Sequence, residues 1–226
     1  MFNIVQKHQP VEELTMNLYF APLACSLATR IALYEAGAEA QYTCVDMKTK
    51  RLADGSDFFD ITPMGQVVVL RTDDGVLLTE NAAVLQYVAD RFPAAKLAPA
   101  EGLERARLQE WLGFIGTELQ KAVFVPLLDP KAPEGAKVYA REKAALRLGV
   151  LERHLSAHEF LLDRFTVADA YLATILNWAA SSGINMADWP AVGAYHQRML
   201  KRPSVAKAFG EEWAMYQEEQ KKRAKT

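Results

Sequence analysis

Cysteine is nearly missing from this chain: Cys25 and Cys44 are the only two in 226 residues. Two thiols are too few for a disulfide framework or a zinc site, so neither staples nor a metal is expected. Such cysteine usage suits a reducing cytosol, and a cytoplasmic location is the expectation. Long hydrophobic runs are missing as well. No apolar stretch approaches the roughly 18 residues of a transmembrane helix, and Met1-Phe-Asn-Ile-Val-Gln-Lys-His-Gln-Pro10 lacks the apolar segment of a signal peptide. No membrane partner is expected. Nor does either sign of charge dominate: 26 Lys and Arg against 28 Asp and Glu leave a net charge of −2. Nothing in that balance points to nucleic acid, and the cationic stretch Lys221-Lys222-Arg223-Ala-Lys225 reads as short and solvated. What remains is an ordinary globular composition, half of it hydrophobic and 24 % charged, long enough to bury a core unaided.

The chain reads outward from the stretch between Met16 and Glu35. Met16, Leu18 and Phe20 alternate with Asn17 and Tyr19, the period-two pattern of a half-buried strand. Ala21-Pro22-Leu23 breaks it, and from Ser26 the apolar residues Leu27, Ile31 and Tyr34 fall at helical spacing. Cys25 therefore stands where a strand ends and a helix begins. The first turn of a helix has unpaired N–H groups and partial positive charge, and so favours a thiolate. A thiol of ordinary pKa is only about 3 % ionised at neutral pH, and a helix terminus supplies roughly 0.3–1 kcal/mol. Position alone helps but does not make a strong nucleophile, and a free cysteine is as often a small buried hydrophobe.

Residues 1–15 read as an extension ahead of the fold. Gly37 is a helix stop, and Gln41-Tyr-Thr-Cys-Val45 a second strand on which Cys44 belongs to the core. A polar stretch holding Lys50 follows, as a loop or short helix. Gln66-Val-Val-Val-Leu70 is strand-like, Asp73-Asp74-Gly75 turns a hairpin, and Val76 to Thr79 returns antiparallel. A helix opens after Glu80, with Asn81 or Thr79 able to cap it. The expected fold is thus α/β plus all-α: a βαβαββα domain over 16–92, a linker over 93–102, and an all-helical domain over 103–226. In the second domain, helices are expected over Leu103–Val125, stopped by Pro126 and Pro130, and over Glu134–His154, Thr166–Ser181, from Pro190, and from Ser204 to about Gln217. Thr166-Val-Ala-Asp169 resembles a capping box before an almost wholly apolar run, which makes that helix the centre of its domain and Asp169 a structural residue.

Together, Ala-Cys25-Ser-Leu-Ala, Pro63-Met-Gly-Gln66-Val67, Leu78-Thr-Glu80, Gly116-Thr-Glu-Leu-Gln-Lys121, Phe165-Thr-Val-Ala-Asp169-Ala-Tyr171 and Gln197-Arg-Met-Leu-Lys-Arg-Pro203 resemble a cytosolic glutathione transferase, closest to the bacterial beta class. The likeness runs from Met16 to about Phe209. It implies a thioredoxin-like first domain, a homodimer, and glutathione as co-substrate beside an open apolar pocket for a small apolar electrophile. It also implies roles. Cys25 approaches the glutathione sulfur and can form a mixed disulfide with it. Lys50 faces the glycine carboxylate, and Val67 pairs its backbone with the cysteine moiety as an added strand would. Glu80 and the helix start at Asn81 hold the γ-glutamyl end. Gln120 and Lys121 stand beside the sulfur, and Trp111, Phe114 and Phe124 shape the second pocket or are plain core.

The chain also departs from that family's pattern. Val68 stands where the family has a cis-proline after Val67. A cis bond before a non-proline residue costs about 2.5–4 kcal/mol, so a trans peptide and a displaced loop are expected there. Gln120 replaces a histidine; an amide can donate a hydrogen bond but cannot act as a base or cation near neutral pH. Gly113 removes a polar contact across the dimer, and Leu23 replaces a glycine ahead of Ala-Cys. Two functions stay open on this reading: a transferase conjugating glutathione to electrophiles, with thiol–disulfide exchange through Cys25, or a transferase-like binding or assembly protein with little turnover.

Overall fold

The computed structural model describes residues 15–223. All of the expected 1–15 extension except Thr15 lies outside them. The first domain is built on strand β1 (Asn17–Phe20), helix α1 (Leu27–Glu35), strands β2 (Gln41–Asp46), β3 (Arg51–Leu52), β4 (Val69–Arg71) and β5 (Leu77–Thr79), and helix α2 (Asn81–Arg91). The sheet order is β3-β2-β1-β4-β5. The β1–β2 pair is parallel, as a crossover through α1 requires, and the other three pairs are antiparallel. The second helix of the expected pattern is one turn of 3-10 helix, Phe58–Asp60, and the polar stretch before it forms the short strand β3.

Being central, β1 is buried on both faces rather than one. Leu18 and Phe20 enter the main core, while Tyr19 joins Val45, Phe58 and Val69 on the opposite face. Helix α1 stops as expected: Gly37 has φ of 64°, and Ala38 N–H donates to Leu33 O at 2.9 Å.

The helical domain comprises α3 (Gly102–Gly113), a π-helical continuation over Phe114–Phe124, α4 (Val125–Leu128), α5 (Glu134–Leu155), α6 (Val167–Leu176), α7 (Ala179–Ser182), α8 (Pro190–Leu200) and α9 (Pro203–Arg223). The π segment explains its own burial pattern. Ile115, Leu119, Gln120, Val123 and Phe124 are buried, a spacing wider than 3.6 residues per turn. The helix passes Pro126, running on from the π segment into α4, and ends at Leu128 two residues ahead of Pro130, so of the two prolines expected to stop it only the second marks its end. The helix expected over Thr166–Ser181 is broken at Asn177 and Trp178, and the last helix runs on to Arg223.

Helix α6 is buried along its whole length and begins with the expected capping box. Asp169 accepts from Thr166 N–H at 2.9 Å and Thr166 Oγ1 at 3.0 Å, and also from Leu161 N–H and Tyr195 Oη. Its role is structural, as its place in an apolar run implied. Helix α1 packs against both α6 and α9, so a single apolar cluster runs from Met16 to Ala208 through both halves of the chain. No helix among the described residues is long and apolar enough to cross a membrane.

Candidate functional site around Cys25

Cys25 sits in the turn between β1 and α1, two residues ahead of the first helical residue. The turn is tied internally: Ala24 N–H donates to Ala21 O, Leu27 N–H to Ala24 O, and Ala21 N–H to Ser26 Oγ. From there the half-buried thiol donates to Val67 O at 3.4 Å. Two residues 42 apart in sequence are thus neighbours.

The Val67–Val68 peptide is cis. This corrects the expectation of a trans bond, which rested on residue type alone. Around this bond the fold decides the isomer: Val68 is buried in the main core and β4 begins immediately after it. The expected strand is also shorter. Only Val69–Arg71 enters the ladder, so Val67 lies ahead of it, with its carbonyl facing Cys25.

Lys50 reaches the same corner from the β2–β3 turn, its Nζ donating to Gly65 O at 2.8 Å. Gly65 has φ of 55°, and a Cβ there would lie 2.6 Å from the Phe59 ring. Glycine is therefore favoured by the backbone, and a larger residue would have to displace the Phe59 ring.

The start of α2 supplies the other wall. Glu80 is exposed, precedes the helix with φ of 67°, and makes no side-chain cap. Neither Asn81 nor Thr79 caps the helix as expected. Asn81 is instead its first residue, buried, with Nδ2 donating to Cys25 O at 3.1 Å and Oδ1 left without a partner.

Gln120 reaches the thiol from the π segment. It is buried, and its Oε1 accepts from Tyr171 Oη on α6. A hydroxyl donor on the oxygen leaves the amide N–H groups free to face Cys25. Burial pushes the Cys25 thiol up from its ordinary value, while hydrogen bonds from Gln120 and Asn81 and the charge of Lys121 pull it down. Desolvation wins, so the helix start does not by itself produce the thiolate that its position suggested. Tyr171 is pushed up too, by burial and by its nearness to Cys25. Sequence reading did not give Tyr171 this place, although a tyrosine within an apolar helix signals a buried hydroxyl in need of a partner.

The aromatic trio divides. Trp111 lies 4.8 Å from the His154 ring, tilted against it, and meets Phe114 edge-on at 5.7 Å, both aromatics partly buried. Phe124 has no exposed surface and packs edge-on against Trp178. Of its two readings, pocket wall or plain core, Phe124 fits the second in this structure, being turned inward on the π segment. A groove of about 860 Å³, lined by Tyr34, Ala38, Tyr42, Arg202 and Lys207 among others, lies away from Cys25. No group of three or more His, Cys, Asp or Glu side chains placed to hold a metal occurs among the described residues.

A mixed sheet with a thiol at the start of α1, a backbone edge opposite it and an all-helical second domain defines a class. The family described as glutathione S-transferase, N-terminal domain, matches residues 14–90, and its C-terminal domain counterpart matches 115–203. The chain belongs to the glutathione S-transferase family of enzymes, and its likeness is to the bacterial beta class. It is 41 % identical over 199 residues to glutathione S-transferase GstA of Escherichia coli O157:H7, covering 87 % of this chain and 98 % of that one. The solved beta-class enzyme of Sphingomonas chungbukensis is 44 % identical, with a TM-score of 0.83 and coverage of 87 % and 98 %. A sphingomonad glutathione S-transferase complexed with glutathione is 43 % identical, with the same TM-score and coverage.

Proposed function

We propose that the chain binds glutathione along Val67 and conjugates it to small apolar electrophiles, with Cys25 also able to exchange disulfides. The observation that carries the reading is the Cys25–Val67 contact, which sets a thiol against a backbone edge free of the sheet ladder. A relative 43 % identical was solved with glutathione bound. In this reading Lys50 faces the glycine carboxylate, and Glu80 with the N–H groups at Asn81 takes the γ-glutamyl ammonium and carboxylate. Gln120 donates to whichever sulfur is ionised, and Lys121 adds positive charge. Trp111 and Phe114 border the electrophile.

In conjugation the glutathione thiol loses its proton to water, its sulfur attacks the electrophilic carbon, and the leaving group departs with the bonding pair. In exchange the Cys25 thiolate attacks oxidised glutathione, forming a mixed disulfide and releasing one glutathione thiolate. The assembly is a homodimer and the compartment the cytoplasm.

A second reading, a binding or assembly protein with little turnover, has one observation in its favour: burial raises the Cys25 thiol instead of lowering it. Calorimetry with glutathione and a chromogenic conjugation assay on wild type and Cys25→Ala separate the two. Binding with turnover supports the transferase, and turnover that falls in Cys25→Ala assigns the sulfur. Binding without turnover supports the second reading. No heat at millimolar glutathione defeats the transferase and leaves only an assembly role.

A further inference from the structure

Two residues ahead of Cys25 the backbone adopts a conformation its residue does not favour. Leu23 has φ of 59°, the left-handed region in which Cβ crowds the following carbonyl. Such a residue persists where its surroundings over-determine it. Here the helical domain holds both of its backbone groups. Leu23 N–H donates to Glu212 Oε2 at 2.8 Å, and Leu23 O accepts from Trp178 Nε1 at 2.9 Å.

Glu212 lies on α9, fully buried and 189 residues from its partner. Its neighbour on α1 is Arg30, itself 4 % exposed, with the guanidinium 4.2 Å from the Phe20 ring centre and 4.4 Å from that of Tyr42. Arg30 Nε stands 3.2 Å from Glu212 Oε1, yet the two are not aligned for a hydrogen bond. Arg30 also reaches Glu211, at 3.2 Å. The Leu23 amide is therefore the one aligned donor to the Glu212 carboxylate among the described residues. Burying a carboxylate is costly without such a donor.

We propose that Glu212 is a positioning residue for the Cys25 turn: by accepting the Leu23 amide it fixes the left-handed residue and so sets the place of the Cys25 sulfur opposite Val67. The inference rests on the reading of Cys25 and Val67 as the glutathione site. Because the turn is closed by hydrogen bonds at Ala21, Ala24 and Ser26, a shift at Leu23 is passed to Cys25. It makes α9, near the other end of the chain, a determinant of thiol placement.

The test is a double-mutant cycle on the full chain. Conjugation kcat/KM and the pH profile of iodoacetamide alkylation, followed by mass on the Cys25 peptide, are measured for wild type, Glu212→Ala, Leu23→Gly and the pair. Glu212→Ala is expected to lower kcat/KM about tenfold and to shift the alkylation profile. Glycine takes the left-handed conformation unaided, so in the Leu23→Gly background the same change should alter either readout less than about twofold. Glu212→Gln, which keeps an acceptor for the Leu23 amide, should restore the profile. Should Glu212→Ala not fold, Arg30→Met with Glu212→Leu replaces the ion pair by apolar groups and still removes the acceptor. Equal losses in both backgrounds would overturn the proposal and leave Glu212 as a partner of Arg30 alone. If the wild type neither binds nor turns over glutathione, the proposed function fails, while the alkylation arm still reads the coupling.

Discussion

Cys25 shows how burial and local donors compete over one proton. Desolvation raises its thiol, and Gln120, Asn81 and Lys121 oppose that rise. Replacing Gln120 by Leu removes a donor to the thiolate, so the pH of half-maximal alkylation at Cys25 should move upward. A midpoint that stays or falls would exclude Gln120 from the site. Glu212 gives the same argument a stability reading. Burial pushes its carboxyl from 4.5 up to about 7, with Arg30 pulling down and Glu211 pushing up. Between those values the folded chain holds the proton more tightly than the unfolded chain. The contribution of Glu212 to stability is therefore lost as pH rises through that window, by about 3 kcal/mol at most. Urea unfolding from about pH 5 to 7.5 should show wild type losing stability relative to Glu212→Gln; a pH-independent difference would count against it.

Helix α6 is the element whose ends matter most. Every residue in it is buried, so the donors at its start have no access to water: Val167 N–H is taken by Leu97 O, Asp169 N–H by Thr166, and the N–H groups of Leu161 and Thr166 just ahead of the helix by the Asp169 carboxylate. Thr166→Ala should cost about 1 kcal/mol in urea unfolding, the ordinary value of a lost cap. Asp169→Asn should cost more, about 2–4 kcal/mol, because an amide would present N–H groups to donors that now meet a carboxylate. Equal losses in the two variants would mean that the capping box, and not the links to Leu161 and Tyr195, is what Asp169 supplies. The π segment between α3 and α4 serves the site differently. Its wider turn carries Gln120 inward to Tyr171 and buries Phe124 with it, so the same winding that supplies a donor removes a candidate pocket wall.

At the level of the whole chain, the two halves share one apolar core. Helix α1, which carries the Cys25 turn at its start, is packed between α6 and α9 of the helical half. Ion pairs reinforce that contact, Arg30 with Glu211 and Arg202 with Glu35. The halves should then unfold together. All four tryptophans, 111, 178, 189 and 213, belong to the helical half, while Cys44 is on β2, half-buried and pushed up to about 11 by burial and nearby carboxylates. Tryptophan fluorescence and Cys44 labelling should therefore report one coincident midpoint in urea. Two separated transitions would show that the shared core does not couple the domains.

Local pattern was enough for much of this molecule. The alternation around Leu18, the Gly37 stop, the Asp73-Asp74-Gly75 hairpin and the Thr166–Asp169 cap are set by residues within a few positions of one another, so the sequence alone determined them. The same holds for the thiol at a helix start, since Cys25 needs only its neighbours to be placed there. Tertiary structure decided the rest, because each remaining feature depends on groups far apart in the chain. The cis bond at Val67–Val68 overrides the preference of the residue pair. The Cys25 thiol is raised by what surrounds it and not lowered by its helix. Leu23 is held left-handed by a carboxylate from α9. Short-range preferences are worth about a kilocalorie per mole, and burial and long-range hydrogen bonds, worth several, outweigh them wherever the two meet.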